Sequence, residues 1–132
     1  MEINELTSKI IGAAMRVHSE LGPGLLESVY QKCMEHELRE AGLVVQAEVV
    51  VPIRYKGKCV VEAAFRIDLL VEDMVVVELK AVDEVHAVHK KTLLTYLKLT
   101  GKHVGLLINF NCVLLKDGIE RLVNKYEDSP MG

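Results

Sequence analysis

The chain has 132 residues, of which 50% are hydrophobic and 27% charged, with a formal net charge of −3 and a pI near 5.9. This length and composition predict one folded domain over residues 1–125 and exclude a chain that is disordered throughout. The negative charge also excludes a general attraction to polyanions, so binding of nucleic acid would need a local basic patch or a metal ion.

The cysteines and the N-terminus point to a cytoplasmic protein. Cys33, Cys59 and Cys112 are widely spaced without a Cys-x-x-Cys pair, which favours free thiols over a zinc site or a disulfide. The acidic start, residues 1–5, does not fit a signal peptide, and no apolar run approaches the roughly 20 residues that span a bilayer. We therefore expect no membrane association.

Two helices are predicted first. Hydrophobic residues recur at steps of three and four over residues 5–21, and Gly22-Pro23-Gly24 ends this helix. A second helix is predicted over residues 25–41, ended by Gly42.

A strand and a hairpin follow the two helices. The strand covers residues 43–55, in which Pro52 indicates an edge position or a bulge. After a turn at residues 55–58, two apolar runs joined by Glu72-Asp73 over residues 60–82 predict a β-hairpin.

The last part of the chain predicts a third helix over residues 85–100, with apolar positions Val88, Leu93, Leu94 and Leu97, and a buried strand over residues 103–110. Residues 113–116 and 119–123, around a turn at Asp117-Gly118, favour a short C-terminal hairpin over a short helix. Residues 126–132 are expected to form a flexible tail. The order ααβββαβ indicates one α/β layer structure.

Three charges interrupt the apolar hairpin: Asp68, Glu78 and Lys80. Glu78 and Lys80 are two residues apart and share a strand face. A two-residue turn would set Asp68 opposite Val77, whereas a three-residue turn would set it opposite Glu78. In the second register the two carboxylates would suit Mg²⁺ or Mn²⁺, with the lysine beside them to stabilise transition-state charge. The alternative is an ordinary ion pair on a solvated sheet face.

Further candidates lie on the helices. Glu27 and Tyr30 share a helix face, and so do His89, Thr92 and Tyr96. Glu27 could also simply complement the helix dipole, with Tyr30 in the core.

Two other clusters could be binding sites or ordinary surface residues. His86 and His89 have a loose spacing for a zinc pair. Lys90, Lys91, Lys98 and Lys102 form a basic cluster that is either a solvated face or a phosphate contact surface.

Asp68 followed by Glu78-Leu79-Lys80 in a hairpin flanked by helices resembles the PD-(D/E)XK nuclease superfamily, and residues 24–30, Gly-Leu-Leu-Glu-Ser-Val-Tyr, are similar to the motif of its GxxExxY family. The resemblance implies a restriction-endonuclease-like fold with a central mixed sheet. It also implies metal ligation by Asp68, Glu78 and the Leu79 carbonyl, and a catalytic Lys80.

By the same resemblance Glu27 would complete the acidic cluster, with Tyr30 in support, and Thr92 and Tyr96 would line the substrate side. Two positions depart from the pattern: Ile67 replaces a proline, and Thr92 stands where glutamine is frequent. The expected function is a Mg²⁺-dependent (or Mn²⁺-dependent) nuclease. The alternative is a catalytically inactive nucleic-acid- or protein-binding domain, and in either case a homodimer could supply binding surface.

Overall fold

The computed structural model describes residues 1–125, so the predicted tail at 126–132 lies outside the described residues. Helices and strands follow one another in the predicted order, including the strand predicted at residues 119–123. Their bounds are α1 Ile3–Leu21, α2 Glu27–Glu40, β1 Val45–Tyr55, β2 Lys58–Val71, β3 Val75–Lys80, α3 Ala87–Thr100, β4 Val104–Asn109, a 3₁₀ turn Leu115–Gly118, and β5 Ile119–Val123.

The five strands form one mixed sheet in the order β1-β2-β3-β4-β5. β3 and β4 are parallel, and the other neighbouring pairs are antiparallel. The parallel pair is connected through α3, because two parallel neighbours need a crossover rather than a tight turn. This architecture confirms the α/β, restriction-endonuclease-like prediction.

The central strand β3 is buried on both faces, as its nearly continuous apolar sequence requires. Val75, Val77 and Leu79 pack in a core with α1 and α2, whereas Val76 packs in a second core with Leu93 of α3. The helices therefore cover opposite faces of the sheet. No helix within residues 1–125 is long and apolar enough to cross a membrane.

Two local predictions are wrong. Residues 113–116 do not form a strand, since Val113 is 88% exposed and a hydrogen bond from the Asp117 N–H to the Leu114 carbonyl closes a 3₁₀ turn instead. Of the two strands predicted for the C-terminal hairpin, only the second forms; it is β5, which pairs with β4. Val88, predicted on the apolar face of the third helix, is 59% exposed because it lies in the first turn of α3, beyond the edge of the core.

The β1–β2 hairpin is much longer than the rest of the sheet. β3 pairs with β2 only at Leu69–Val71, so most of β2 has β1 as its sole neighbour in the described chain. The register shifts on either side of Ile53, next to Pro52, and β1 is an edge strand, so both alternatives predicted from Pro52 are present. We refer to residues 48–67 as the β-arm.

Candidate active site

The turn between β2 and β3 sets the register of the three predicted site residues. Val71 pairs with Val75 and Leu69 with Val77, which corresponds to a three-residue turn. Continuing this register by one residue places Asp68 opposite Glu78. The structure therefore adopts the register in which both carboxylates project from the same face of the sheet.

A side chain helps to hold that turn. Glu72 and Asp73 both have positive φ, of 52° and 54°, which is unfavourable for residues with a Cβ. The Glu72 carboxylate compensates by accepting the Val44 N–H at 2.6 Å, while the Glu72 N–H donates to the Val44 carbonyl at 2.8 Å. This contact ties the turn to the residue before β1.

At the site, hydrogen bonds from backbone N–H groups to the two carboxylates replace the backbone pairing of the strands. The backbone pairing of β2 with β3 ends at Leu69. One residue further, the Asp68 N–H donates to Glu78 Oε1 at 3.2 Å, and the Leu79 N–H donates to Asp68 Oδ2 at 2.8 Å. Each strand thus binds the carboxylate of the other, and this exchange keeps the two acids together.

Burial of the pair makes both acids weaker. The pKa of Glu78 is raised to about 8, first by burial and then by the charge of Asp68. The pKa of Asp68 is also raised, mainly by burial, although its hydrogen bond from the Leu79 N–H opposes the shift. Without a cation, the two carboxyls therefore share a bound proton at neutral pH.

Lys80 lies on the same strand face as Glu78. Its charge lowers the pKa of both Asp68 and Glu78, so it acts on the pair. Within residues 1–125 no ion pair joins its ammonium to either carboxylate. Its carbonyl accepts the Phe110 N–H at 2.9 Å, which anchors this end of β3. The lysine is thus held near the acids with its hydrogen bonds available.

Glu27 is the first residue of α2, and its side chain is exposed. Its negative charge raises the pKa of Asp68, so it approaches the acidic pair. In the described part of the chain, however, no three His, Cys, Asp or Glu side chains are grouped closely enough to hold a metal ion. The structure therefore unites Asp68 and Glu78 and leaves Glu27 as a neighbour.

Tyr30 positions the segment before Glu27. It is fully buried and stacks on Phe110, with 4.4 Å between ring centroids. Its hydroxyl donates to the Gly22 carbonyl at 2.5 Å and accepts the Leu25 N–H at 3.2 Å. Tyr30 thereby fixes the loop that leads into α2 and does not itself reach into the site.

Tyr96 of α3 faces the acidic pair. Burial and the charges of Glu78 and Asp68 raise the pKa of its hydroxyl. Its ring stacks on Phe65 of β2 at 4.0 Å between centroids, which places the helix against the base of the β-arm. Thr92 lies one helical turn earlier and is half-buried. Of the two residues predicted on this helix face, Tyr96 is thus close enough to the pair for the carboxylates to act on its hydroxyl.

Comparison with known proteins adds the family. The family model of the PD-(D/E)XK nuclease superfamily matches residues 4–122. The chain belongs to that superfamily. No curated protein and no solved structure gives a match. The matched range includes the hairpin with Asp68, Glu78 and Lys80.

One buried residue of this superfamily member was not singled out by the sequence patterns. Asn109, at the end of β4, is 5% exposed and pairs with Lys80 in the sheet. Its side chain accepts the Val82 N–H at 3.1 Å and donates to the Val82 carbonyl at 2.9 Å. It therefore holds the chain that leaves Lys80. The sequence feature that could have identified Asn109 is a single amide directly after the five apolar or glycine residues 104–108.

The remaining sequence candidates have structural roles. The His89 Nδ1 accepts the His86 N–H at 3.1 Å, which caps α3. In the basic cluster, Lys90 pairs with Glu120 at 2.8 Å and Lys102 with Asp73 at 3.0 Å. Two of the four lysines in that cluster are therefore already neutralised.

Proposed function

We propose that this chain is a metal-dependent nuclease of the GxxExxY type that hydrolyses phosphodiester bonds with water. The observation that carries the proposal is the convergence of Asp68 and Glu78 through reciprocal backbone hydrogen bonds, with Lys80 on the same face. Membership of a nuclease superfamily supports the same reaction class.

The donor set fits a hard divalent cation. Asp68 and Glu78, with the carbonyl of Leu79, would hold Mg²⁺ or Mn²⁺, which prefer oxygen ligands. Both carboxyls have raised pKa values, so the pair lacks a compensating positive charge that such an ion would provide. When bound, the ion polarises a phosphoryl oxygen and makes water a better nucleophile.

The protein groups around the pair would orient the substrate. The Lys80 ammonium would donate to a phosphate oxygen and stabilise the negative charge that grows at phosphorus. Glu27, exposed beside the pair, would complete the acidic cluster by hydrogen bonding to water near the phosphate. The Tyr96 hydroxyl and Thr92 would contact the substrate from the α3 side, with Tyr30 holding Glu27 in place.

A second candidate is a binding domain that keeps the fold without catalysis. Two observations favour it: Glu27 is not grouped with the pair as a third ligand, and the chain has a net charge of −3. The two candidates share the metal site and differ in turnover, which a pair of measurements separates.

The first measurement is Mn²⁺ titration by calorimetry. We expect binding to wild type and to Lys80→Ala, and loss of binding in Asp68→Ala, because only the second change removes a proposed ligand. Lys9→Ala is the matched control for loss of one lysine, since Lys9 is exposed on α1.

The second measurement is cleavage of single-stranded, duplex and branched DNA and RNA with Mg²⁺. Wild type and Lys9→Ala should cleave at equal rates, whereas Lys80→Ala should lose activity by about 100-fold or more. Metal binding without cleavage of any of these substrates would establish the binding domain instead.

A further inference from the structure

The tip of the β-arm is basic and does not pack in either hydrophobic core. Residues 54–64 are all exposed, and the tip carries Arg54, Lys56 and Lys58 around the turn at Gly57. Lys56 lies over the ring of Tyr55, with 5.5 Å from Nζ to the ring centroid, and Tyr55 is itself 62% exposed. An exposed basic projection of this kind is a candidate surface for binding an anionic partner.

Charge distinguishes the β-arm from the rest of the molecule. It contains four cations and two carboxylates, so its net charge is +2, while the whole chain has −3 and the remainder therefore has −5. One arm cation, Arg66, pairs with Glu48 at 3.7 Å. The three tip cations form no ion pair within residues 1–125. Within residues 1–125 the arm is thus a basic projection on an acidic protein.

We propose that the β-arm is a docking surface for duplex DNA, with Arg54, Lys56 and Lys58 on the phosphates. This inference rests on the proposed function for its link to cleavage, because the arm and the acidic pair share strand β2. Charge complementarity identifies the partner as a polyanion, since three free cations at one tip suit a row of phosphates. Tyr55 adds an exposed aromatic ring at the same tip.

The dimensions agree with a duplex. Lys58 is ten residues from Asp68 along β2, about 33 Å in an extended strand, which is close to one helical turn of B-form DNA. A two-stranded ribbon fits the major groove of B-form DNA, roughly 12 Å wide, but not the deep, narrow groove of duplex RNA. A duplex that lies along the arm would therefore reach from the tip to the acidic pair.

The competing occupant of the arm is a second copy of the chain. Val50, Val60 and Val61 are each more than 40% exposed on the arm, which could suit packing between two arms. Edge-to-edge pairing of β1 is disfavoured, however, because Pro52 and the register shifts beside it interrupt the edge. The unpaired tip cations would also repel their copies in a symmetric arm pair.

The test measures binding in EDTA, so that the result does not depend on cleavage. A fluorescent DNA duplex of about 30 base pairs, roughly three helical turns, is titrated with the full chain at several NaCl concentrations and followed by anisotropy. The arm variant is Arg54→Ala/Lys56→Ala/Lys58→Ala. The control is Lys9→Ala/Lys116→Ala/Lys125→Ala, which removes the same charge from exposed sites outside the arm.

We expect the arm variant to bind duplex DNA about tenfold or more weakly, with the slope of log Kd against log salt reduced by about 2 to 3. The control variant should keep the wild-type slope. Wild type should bind duplex DNA more tightly than duplex RNA or single-stranded DNA of the same length. Circular dichroism should show the same fold in all three proteins, because the tip side chains are exposed.

The inference is overturned if wild type does not bind the duplex, if both variants lose equal affinity, or if sedimentation shows a dimer that the arm variant alone dissociates. The last result would assign the arm to a second copy. Binding that depends on the arm, without cleavage, would leave the inference standing and reject the nuclease. Cleavage that is unchanged in the arm variant would support the nuclease and reject the arm as its docking surface.

Discussion

At the scale of single residues, the buried acidic pair is energetically unfavourable in the metal-free protein. Glu78 is 9% exposed in a strand that is otherwise apolar, and Asp68 is half-buried opposite it. Two carboxylates in this position repel each other and lose hydration, which a bound proton or a divalent cation relieves. The pair is therefore a local cost to the stability of the metal-free protein.

The first prediction concerns stability against pH. Because the pKa of Glu78 is raised from 4.5 to about 8, the native state binds more protons than the unfolded state over that interval. The free energy of unfolding of the metal-free protein should therefore fall between about pH 4.5 and pH 8, on the order of a few kcal/mol. Urea denaturation in EDTA at several pH values measures it.

The Glu78→Gln variant should remove most of that fall and be more stable than wild type at pH 8. Glu62→Gln, at an exposed position of the β-arm, should keep the wild-type pH dependence. An unchanged pH profile in Glu78→Gln would show that this carboxyl does not carry the proton.

The second prediction concerns metal affinity. A cation at Asp68 and Glu78 competes with the proton that the pair holds, so Mn²⁺ affinity should rise with pH and level off above about 8. Calorimetry in two buffers of different ionisation enthalpy should show a proton released on binding at pH 7. The affinity should be measured from about pH 6 to about pH 9 in steps of roughly half a pH unit. An affinity that does not change over this range would contradict the proposed ligands.

At the scale of elements, the chain beyond β3 and β4 is braced by a small network. Asn109 clamps Val82, and the Cys112 carbonyl contacts His18 Nε2 at 2.8 Å. Gly118, at the end of the 3₁₀ turn, packs directly on the backbone of Asn109. These contacts join α1, β4 and the segment after Lys80.

The third prediction tests that bracing. A Cβ at position 118 would overlap the Asn109 carbonyl oxygen and lie 2.9 Å from Cys112 Sγ. Gly118→Ala should therefore lower the free energy of unfolding by about 1–3 kcal/mol. Because it shifts Asn109, it should also reduce any cleavage activity.

Gly12→Ala is the control, since a Cβ there meets only Arg16 Nη1 at 3.6 Å in the middle of α1. That change should stabilise the protein by about 0.5–1 kcal/mol. Thermal or urea denaturation of both variants measures the difference, and equal stability of Gly118→Ala and wild type would refute the packing argument.

At the scale of the whole molecule, stability and recognition are spatially separated. The two cores lie on either face of the inner strands, between α1 and α2 on one side and α3 on the other. Most of the β-arm lies outside both cores. We therefore expect the arm to tolerate substitutions that the sheet does not.

The fourth prediction compares two valines. Val77 is completely buried in β3, so Val77→Ala should lower the free energy of unfolding by about 2 kcal/mol. Val60 is 57% exposed on the arm, and Val60→Ala should stay within about 0.5 kcal/mol of wild type. Denaturant titration measures both. A large loss in Val60→Ala would mean that the arm packs on something in solution.

Much of the architecture was predictable because local patterns and packing agreed. The three helices and the inner strands follow from apolar periodicity, with bounds displaced by up to two residues. The prediction failed at residues 113–116, where Val113 and Leu114 are exposed, Leu115 is buried, and a 3₁₀ turn carries the chain to β5. Apolar composition alone does not show whether a short segment is covered.

The sequence by itself determined the residue types of the candidate site: two acids and a lysine in a hairpin that otherwise has core composition, and an acid at the start of a helix. The tertiary structure decided which of them meet. Asp68 faces Glu78 because the turn has three residues, and a turn with one residue fewer would have sent it to the other face. Asn109 and the isolated basic arm also emerged only in three dimensions, because burial of an amide and the absence of a neighbouring strand depend on contacts between residues distant in sequence.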